Sequence, residues 1–245
     1  MAPLVSLVVP VLADRPHASR LLRQVPADSR VEVIVVEAAD EAGAASRAGA
    51  GNGSGLEALA PGRSDVKLIH SAPGRARQMN AGAALARGEW LLFLHADSVL
   101  PDGWLRALAD TVTPSAVGGW FRFALDDRAW QARVLERGVA LRVRLLRLPY
   151  GDQGLFLHRR AWTALGGFRD LPLMEDVDLV RRLARLGPVV EVPCAIATSP
   201  RRWHQDGWFR RSGRNLALLG LYFLGVPPAR LARWYQRGPP RPTRR

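Results

Sequence analysis

Residues Val31–Val36 read VEVIVV, and residues Leu4–Val9 read LVSLVV. Short apolar runs rich in β-branched residues are typical of strands that are buried on both faces of a sheet. Val66–Ile69 and Trp90–Leu94 are also short and mainly apolar, and Gln78–Arg87 between them has the pattern of a helix. Strands that alternate with helices predict an α/β fold, with a doubly wound, mostly parallel sheet and helices on both faces.

The second half of the chain continues this alternation less regularly. Three segments have the pattern of strands: Val117–Leu125, Gly154–His158 and Val189–Val192. Trp130–Leu148 predicts a long helix, and a shorter helix is expected from near Glu175 to Leu186. We therefore expect one compact domain over residues 1–237.

Two segments lack a clear pattern of strands. Ala42–Gly62 is rich in glycine, alanine and serine, so we expect a surface loop, with a short helix where Ser54 and Glu57 have capping-box spacing. Residues 238–245 read GPPRPTRR. This composition predicts a disordered tail.

Composition limits the class of protein. The chain has 245 residues, of which 48% are hydrophobic, enough for a sizeable core. Cys194 is the single cysteine, so no disulfide can form within the chain, and a cytoplasmic location is the default. Met1–Pro10 lacks the basic start of a signal peptide. Leu216–Val226 is shorter than the about 20 residues that span a bilayer, so we expect no transmembrane helix.

The formal net charge of +13 would attract nucleic acid, an anionic membrane surface or phosphorylated small molecules. Charge alone does not choose between these partners. A coding bias towards arginine explains it at least as well, because Lys67 is the only lysine. No nucleic acid is expected as a partner, since the sequence has no RRM, KH or zinc-finger signature.

Polar residues at strand ends are the first candidates for a site, because ligands of open α/β sheets bind outside the carboxyl ends of the strands. Glu37 and the triplet His95–Asp97 follow predicted strands, and Gly151–Gln153 precedes another. Asp97 could be a hard oxygen ligand for a divalent cation that neutralises a diphosphate. An aspartate in a turn ahead of Pro101 explains the same position equally well.

Three further segments are ambiguous by themselves. Met174–Asp178 places three carboxylates before a helix, where the helix dipole alone favours acidic residues. A catalytic role would need one of them to face a cleft and take a proton from a hydroxyl. Arg201–Trp203 could grip a diphosphate and stack on a sugar ring, although a solvated basic turn is favoured on spacing alone. Arg75, Arg77, Gln78 and Asn80 open a helix whose N-terminus could receive anions, or are simply exposed.

Several enzyme classes are disfavoured. The sequence contains no HExxH, GxxxxGK or GxGxxG motif and no nucleophile elbow. A P-loop NTPase, a Rossmann dehydrogenase and a serine hydrolase are therefore poor hypotheses.

The predicted helix Trp130–Leu148 carries apolar residues on two sides. One stripe contains Trp130, Val134, Leu141, Leu145 and Leu148, with arginines beside it, and the other contains Leu135, Val139, Val143 and Leu146. Packing between two layers is the favoured explanation. The alternative is that one stripe makes a peripheral contact with the inner face of a membrane.

Seven segments, taken in order, resemble the family 2 glycosyltransferases with the GT-A fold: SLVVP, VEVIVVE, GRARQMNAGAALARGEWLLFLHADS, PYGDQGLF, GGF, LPLMEDVDL and SPRRW. The match covers most of Leu4–Tyr235. It is most similar to a bacterial subgroup associated with arsenosugar biosynthesis or with radical-SAM/selenodomain proteins. The resemblance implies a GT-A domain in which residues 1–100 bind the nucleotide and residues 101–237 face the acceptor.

The resemblance also implies an activity: inverting, hexosyltransferase-type transfer from a nucleotide-diphosphate-sugar to an acceptor hydroxyl. Asp97 would match the last aspartate of the DxD motif and bind Mg²⁺ or Mn²⁺. Asp176 would be the general base and Glu175 would orient the acceptor. The implied contacts to the donor are Glu37, Arg77, Asn80, Asp152, Gln153, Arg202 and Trp203.

Two departures from the family pattern bear on this interpretation. His95 replaces the first acid of DxD, and Val11–Asp14 lacks the asparagine–glutamate pair common after the first strand. A histidine that is neutral near pH 7 would hydrogen-bond the ribose without adding a second negative charge at the metal. The departures motivate an alternative, a GT-A-like protein that binds nucleotide sugars but has lost catalysis.

Overall fold

The computed structural model describes residues 4–12, 14–39, 59–63 and 65–236. These residues contain one eight-stranded sheet in the order β3-β2-β1-β4-β7-β6-β8-β5. The strands are β1 (Val5–Val11), β2 (Val31–Ala38), β3 (Val66–Ser71), β4 (Trp90–Phe93), β5 (Ser98–Val99), β6 (Gly118–Leu125), β7 (Leu155–His158) and β8 (Val189–Thr198).

Helices connect the strands. They are α1 (Arg15–Gln24), α2 (Arg75–Leu85), α3 (Trp104–Thr111), α4 (Trp130–Leu146), α5 (Arg159–Leu165), α6 (Glu175–Leu186), α7 (Arg201–Asp206), α8 (Trp208–Phe223) and α9 (Pro228–Gln236), with a 3₁₀ turn at Gly151–Gln153. No helix of the described residues is long and apolar enough to cross a bilayer.

The sheet is mostly parallel, which confirms the predicted fold class. β1 pairs in parallel with β2 and β4, and β2 pairs in parallel with β3. β7 is antiparallel to both β4 and β6, while β6 and β8 are again parallel. The short β5 pairs with β8 in antiparallel fashion and was not predicted.

Burial explains the apolar runs of the first strands. In β1, Leu7 and Val9 belong to the core on one face of the sheet, where α1 and α3 pack. Val8, between them, belongs to the core on the other face, with Met79 of α2. Because successive side chains of a strand point to opposite faces, nearly every position of a strand covered on both sides is buried.

The first apolar stripe of α4 is largely exposed, whereas the sequence favours packing between two layers. Val143 is buried and Val139 partly buried in a third core, which also contains Leu218 and Leu219 of α8. Trp130, Leu141 and Leu145, by contrast, are exposed by 63%, 56% and 69%. Packing between two layers is thus wrong for this stripe, which the described residues leave uncovered except at Leu148. The predicted capping box at Ser54 and the predicted tail lie outside the described residues.

The amino ends of the parallel strands are joined by the buried carboxylate of Glu32, in β2. Ser6 Oγ in β1 donates a hydrogen bond to Glu32 Oε1 over 2.5 Å. The backbone N–H groups of Arg87 and Gly88, just before β4, donate to the same oxygen. Arg87 Nε donates to Glu32 Oε2, and Lys67 Nζ lies 3.5 Å from that oxygen. One side chain therefore ties together the starts of neighbouring strands.

Candidate functional site

A pocket lies at the carboxyl end of β4, where the parallel strands of the sheet terminate. Counted with the solvent at its mouth, it has a volume of about 240 Å³. It is lined by Arg75, Met79, Phe93, His95, Gly151, Leu155, Phe168 and Asp176. The start of α2, the end of β4, the 3₁₀ turn and the start of α6 thus supply its walls.

Asp176 is held in the pocket by the backbone. Gly151 N donates to its Oδ2 over 2.7 Å, and Val177 N donates to its Oδ1 over 2.8 Å. The preceding Met174 has φ 66° and ψ 20°, a left-handed conformation that is uncommon for a residue other than glycine. Such backbone strain tends to occur at functional sites, and here it directs the first turn of α6.

Gly151 separates His95 from Asp176. A Cβ on Gly151 would lie 3.2 Å from His95 Nε2 and 3.4 Å from Asp176 Oδ2. The first contact is tight and the second is an ordinary van der Waals contact, so both side chains lie directly beside this glycine, which has no side chain of its own. The structure therefore brings together two predicted site residues that are 81 positions apart in the sequence.

Glu175 lies behind Asp176 and is only 4% exposed. Arg75 Nη1 donates to its Oε1 over 3.2 Å. Burial, followed by the negative charge of Asp176, raises the pKa of Glu175 against the effect of Arg75. The arginine of α2 that reaches the pocket is thus Arg75. Arg77, which the resemblance selected, is exposed and pairs with Asp170, with Nη2 and Oδ2 2.7 Å apart.

His95 is neutral in this environment. Burial lowers its pKa well below 6.5, and the positive charges of Arg75 and Arg202 lower it further. Asp97, two residues later, is partly buried, and its carboxylate makes no hydrogen bond or ion pair with the described part of the chain. A carboxylate with no partner among the described residues is available to a ligand.

Asp152 is a second carboxylate with free capacity. Its Oδ1 is buried and has no hydrogen-bond partner among the described residues. Burial raises the pKa of Asp152 to about 6; the charges of Asp176 and Asp97 add to this rise, and those of Arg142 and Arg75 oppose it. The charges of Asp97 and Asp176, the two acids of the predicted mechanism, therefore both act on Asp152. Its Oδ1 is available to bind a ligand.

Gln153 and Asn80 use their amide groups within the chain and do not line the pocket described above. Gln153 is 1% exposed; its Nε2 donates to Phe121 O, and Tyr150 N donates to its Oε1. Asn80 Nδ2 donates to Phe168 O over 2.8 Å, and Phe168 N donates back to Asn80 Oδ1 over 3.0 Å. These amides hold the 3₁₀ turn and the loop before α6 in place, so in this structure they are positioning groups.

The remaining predicted contacts, Glu37, Arg202 and Trp203, do not line the pocket. Glu37, at the end of β2, accepts hydrogen bonds from Arg15 Nε and Nη2 over 2.6 and 2.7 Å. Trp203 Nε1 donates to Ser212 Oγ over 3.2 Å, so its ring packs in the corner between α7 and α8. Arg202 is exposed, yet it is close enough to affect His95. The predicted roles of these residues towards a donor stay predictions.

The acidic groups suit a cation that is shared with a ligand. Within the residues that the structure describes, no cluster of three or more His, Cys, Asp or Glu side chains could hold a metal ion. Mg²⁺, however, is commonly held by one or two carboxylates together with substrate phosphates. The free carboxylate of Asp97 and the unpartnered Oδ1 of Asp152 fit that arrangement, and neutral His95 adds no charge to it.

Arg142 and Tyr150 belong to the site, but the sequence gives little indication of either. The Arg142 guanidinium lies 3.5 Å above the centre of the Tyr150 ring, and its charge acts on Asp152. Between these two residues, α4 ends with its C-cap residue Arg147 in a left-handed conformation, with φ 50°. A pattern of apolar residues along a helix does not reveal such an end.

The family model "Glycosyl transferase family 2" matches residues 19–166. Among solved structures, the mannosyltransferase PcManGT from Pyrobaculum calidifontis, in complex with GDP-Man and Mn²⁺, is similar with a TM-score of 0.59 and 21% identity. The likeness covers 94% of this chain and 67% of that one. TarS 1-349 from S. aureus, in complex with UDP-GlcNAc, has a TM-score of 0.53 and 13% identity, with 80% and 58% covered.

At these identities the two structures show the fold alone, a GT-A glycosyltransferase fold. The chain spans 58% of the TarS chain in that complex. No curated protein matches the sequence.

Proposed function

The chain belongs to glycosyl transferase family 2, and we propose that it transfers a sugar, of hexosyl type, from a nucleotide-diphosphate-sugar to an acceptor hydroxyl with inversion at the anomeric carbon. The observation that carries this proposal is the meeting of His95 and Asp176 in one pocket beyond the carboxyl end of β4. Asp97 and Asp152 do not line that pocket, but their charges interact with each other, and the charge of Asp176 also acts on Asp152. The carboxyl ends of the strands are where open α/β sheets bind their ligands.

Asp176 is the proposed general base. The acceptor oxygen attacks the anomeric carbon, its O–H proton passes to the Asp176 carboxylate, and the bond from that carbon to the diphosphate oxygen breaks with its electron pair. The amides of Gly151 and Val177 fix the direction of the carboxylate. Glu175, anchored by Arg75, is proposed to orient the acceptor from behind it.

The departing diphosphate needs positive charge nearby. Arg75 and Arg202 are the proposed protein sources, because their charges already act on His95 at the centre of the pocket. Mg²⁺ or Mn²⁺ held by Asp97, with Asp152 as its neighbour, would neutralise further charge on the diphosphate. Glu37, Arg77, Asn80, Gln153 and Trp203 remain the proposed contacts or supports for the donor.

Asp176→Asn tests the proposed base. The amide cannot take the proton, so we expect transfer to fall by roughly 10³-fold, while the Kd for the nucleotide stays nearly unchanged. Asp110→Asn, in an ion pair exposed on α3, is the matched control and should keep full activity. Transfer that survives in Asp176→Asn would show that the role is assigned wrongly.

The donor class is tested by thermal shift with UDP-, GDP- and dTDP-sugars, with and without Mn²⁺. The correct donor should raise the Tm, because preferential binding stabilises the folded state. Asp97→Asn should remove the part of the shift that depends on metal. A donor that binds without any turnover would favour the second candidate, a binding protein, which His95 in place of an acid already motivates.

The proposal also covers the compartment, the subgroup and the roles of the two halves of the domain. We propose a cytoplasmic enzyme of the subgroup associated with arsenosugar biosynthesis, with residues 1–100 on the donor side and residues 101–237 on the acceptor side. The free thiol of Cys194 is compatible with a reducing compartment.

A further inference from the structure

An apolar stripe that no described residue covers runs along α4. Trp130, Val134, Leu141 and Leu145 are exposed by 63%, 41%, 56% and 69%. Their spacing of four, seven and four residues keeps them on one side of the helix. Single exposed apolar residues are ordinary on protein surfaces, whereas a continuous row of large ones is characteristic of an interaction site.

A second stripe runs along α8 and meets the first. Phe209, Leu216 and Phe223 recur every seven residues and are exposed by 53%, 55% and 45%. The rings of Trp130 and Phe209 lie 5.9 Å apart, so the two stripes touch at the starts of the helices. We call the surface formed by these seven side chains, from Trp130 to Leu145 and from Phe209 to Phe223, the α4–α8 face.

On α4 and α8, the charged side chains that make no ion pair with the described residues are all arginines. Arg137 and Arg144 follow Trp130 at intervals of seven residues and are exposed, so they lie beside its stripe. Neither makes an ion pair with the described residues. The acidic residue of α4, Glu136, is already occupied, because it pairs with Arg133 and accepts from Leu125 N. Neither α8 nor α9 contains an acidic residue.

We propose that the α4–α8 face lies on an anionic membrane surface, with its apolar side chains inserted among the lipids and its arginines at the headgroups. Amphipathic helices with basic polar faces bind such interfaces, and long arginine side chains can reach headgroups while their stems stay apolar. A second copy of the chain fits less well, since two like-charged faces would repel each other.

The α4–α8 face lies close to the pocket, which is compatible with the proposed reaction, although the membrane proposal does not depend on that reaction. α4 ends at Leu146, and the chain reaches Gly151 of the pocket five residues later. Arg142 of α4 stacks on Tyr150, next to that glycine. A membrane under the α4–α8 face would therefore lie close to the 3₁₀ turn that forms one wall of the pocket.

Vesicle flotation of the full chain tests the proposal. We expect the protein to float with phosphatidylcholine vesicles that contain about 30 mol% phosphatidylglycerol, and to bind pure phosphatidylcholine roughly tenfold more weakly. Binding should weaken at about 1 M NaCl and persist in part, because salt screens the arginines and leaves the apolar contact in place.

Leu141→Glu with Leu145→Glu should lower the partition coefficient by roughly tenfold or more, since both side chains would carry charge into the lipid. Arg137→Glu with Arg144→Glu should abolish the preference for phosphatidylglycerol. Leu85→Glu on α2 and Arg160→Glu on α5 are matched controls on exposed positions elsewhere and should bind as the unchanged protein does. Circular dichroism and Tm verify that each variant is folded.

The proposal is overturned if the unchanged protein fails to float, or if the α4 variants float as well as the controls. It is also overturned if light scattering shows a dimer that the same α4 variants dissociate while no vesicles are bound, because the face would then join two copies. Donor binding by the unchanged protein is measured in parallel. A protein that binds donor but no vesicles refutes only the membrane proposal, and the reverse result refutes only the proposed function.

Discussion

Glu32 and Asp152 are buried carboxylates at opposite ends of the same sheet, and their surroundings give opposite results. Burial alone would raise the pKa of Glu32, but hydrogen bonds from Ser6 and Arg87 and the charge of Lys67 outweigh it, so this pKa is lowered. For Asp152, burial and two neighbouring acids outweigh two arginines, and the pKa rises to about 6. Ionised Glu32 stabilises the fold. Ionised Asp152 is unfavourable in the folded protein, and a positively charged ligand would stabilise its charge.

The comparison predicts that Glu32→Gln has the largest effect on stability. The amide removes a charge that several buried donors need, so the free energy of unfolding should fall by about 3 kcal/mol. Urea denaturation measures this change. Donor affinity of the folded variant should stay the same, because Glu32 lies at the end of the strands away from the pocket. A loss below about 0.5 kcal/mol, as for an exposed carboxylate, would break the contrast.

Asp152→Asn should increase the free energy of unfolding at pH 7, whereas Glu32→Gln decreases it. The variant removes a carboxylate that is costly to charge, so the free energy of unfolding should rise by about 1–2 kcal/mol, less than the shift in pKa alone implies because solvent reaches the site. Transfer should nevertheless fall by roughly 100-fold. Destabilisation at unchanged activity would show that Asp152 is an ordinary structural acid.

The two groups also predict different pH dependences. Asp152 has a folded pKa of about 6 against an ordinary value of 3.8, so the folded state binds more protons and stability falls as pH rises from about 4 to 6. Glu32 has a lowered folded pKa, so its contribution is lost as pH falls below its ordinary value of 4.5. Urea denaturation at a series of pH values gives the free energy of unfolding. Between pH 4 and 6, this free energy should fall less steeply with rising pH in Asp152→Asn than in the unchanged protein.

Gly151→Ala should reduce transfer by roughly tenfold with little loss of stability. The added methyl group would press on His95 Nε2 and contact Asp176 Oδ2, and small displacements of a general base are costly. Rates with saturating donor give the effect on kcat. Unchanged kcat would show that the spacing of these two side chains is unimportant to the reaction.

Gly138→Ala, in the middle of α4, is the matched change away from the pocket and has the smallest expected effect. A Cβ there meets nothing within 4 Å. Alanine should therefore stabilise the helix by about 0.5–1 kcal/mol, as a higher midpoint in urea, without changing transfer. A loss of stability would mean that something covers this part of α4.

The sequence was informative where burial leaves a simple pattern. Val31–Val36 could be identified as a strand because both of its faces are covered. β8 was predicted to end at Val192, but it continues to Thr198. The pairing with β6 jumps from Val192 to Ala195, so Pro193 and Cys194 form a bulge that interrupts the pattern without ending the strand.

For the site, position after a strand was the useful signal, and the direction of side chains was not available. His95 follows β4 and lines the pocket, while Asp97, two residues later, does not line it but is close enough to act on Asp152. Arg75 and Arg77 begin the same helix, yet only Arg75 lines the pocket, because residues two positions apart on a helix lie on nearly opposite sides of it. Which of these sides faces the pocket depends on tertiary packing, which a single sequence does not display.

The order of the strands has a consequence for synthesis of the chain on the ribosome. β3, β2, β1 and β4 are neighbours and are complete once Phe93 has been made, but the other neighbour of β4 is β7, which begins at Leu155. Until then, the edge of β4 has unpaired backbone groups, and open strand edges favour aggregation. We expect nascent chains that end between Phe93 and Leu155 to be the ones that chaperones retain longest.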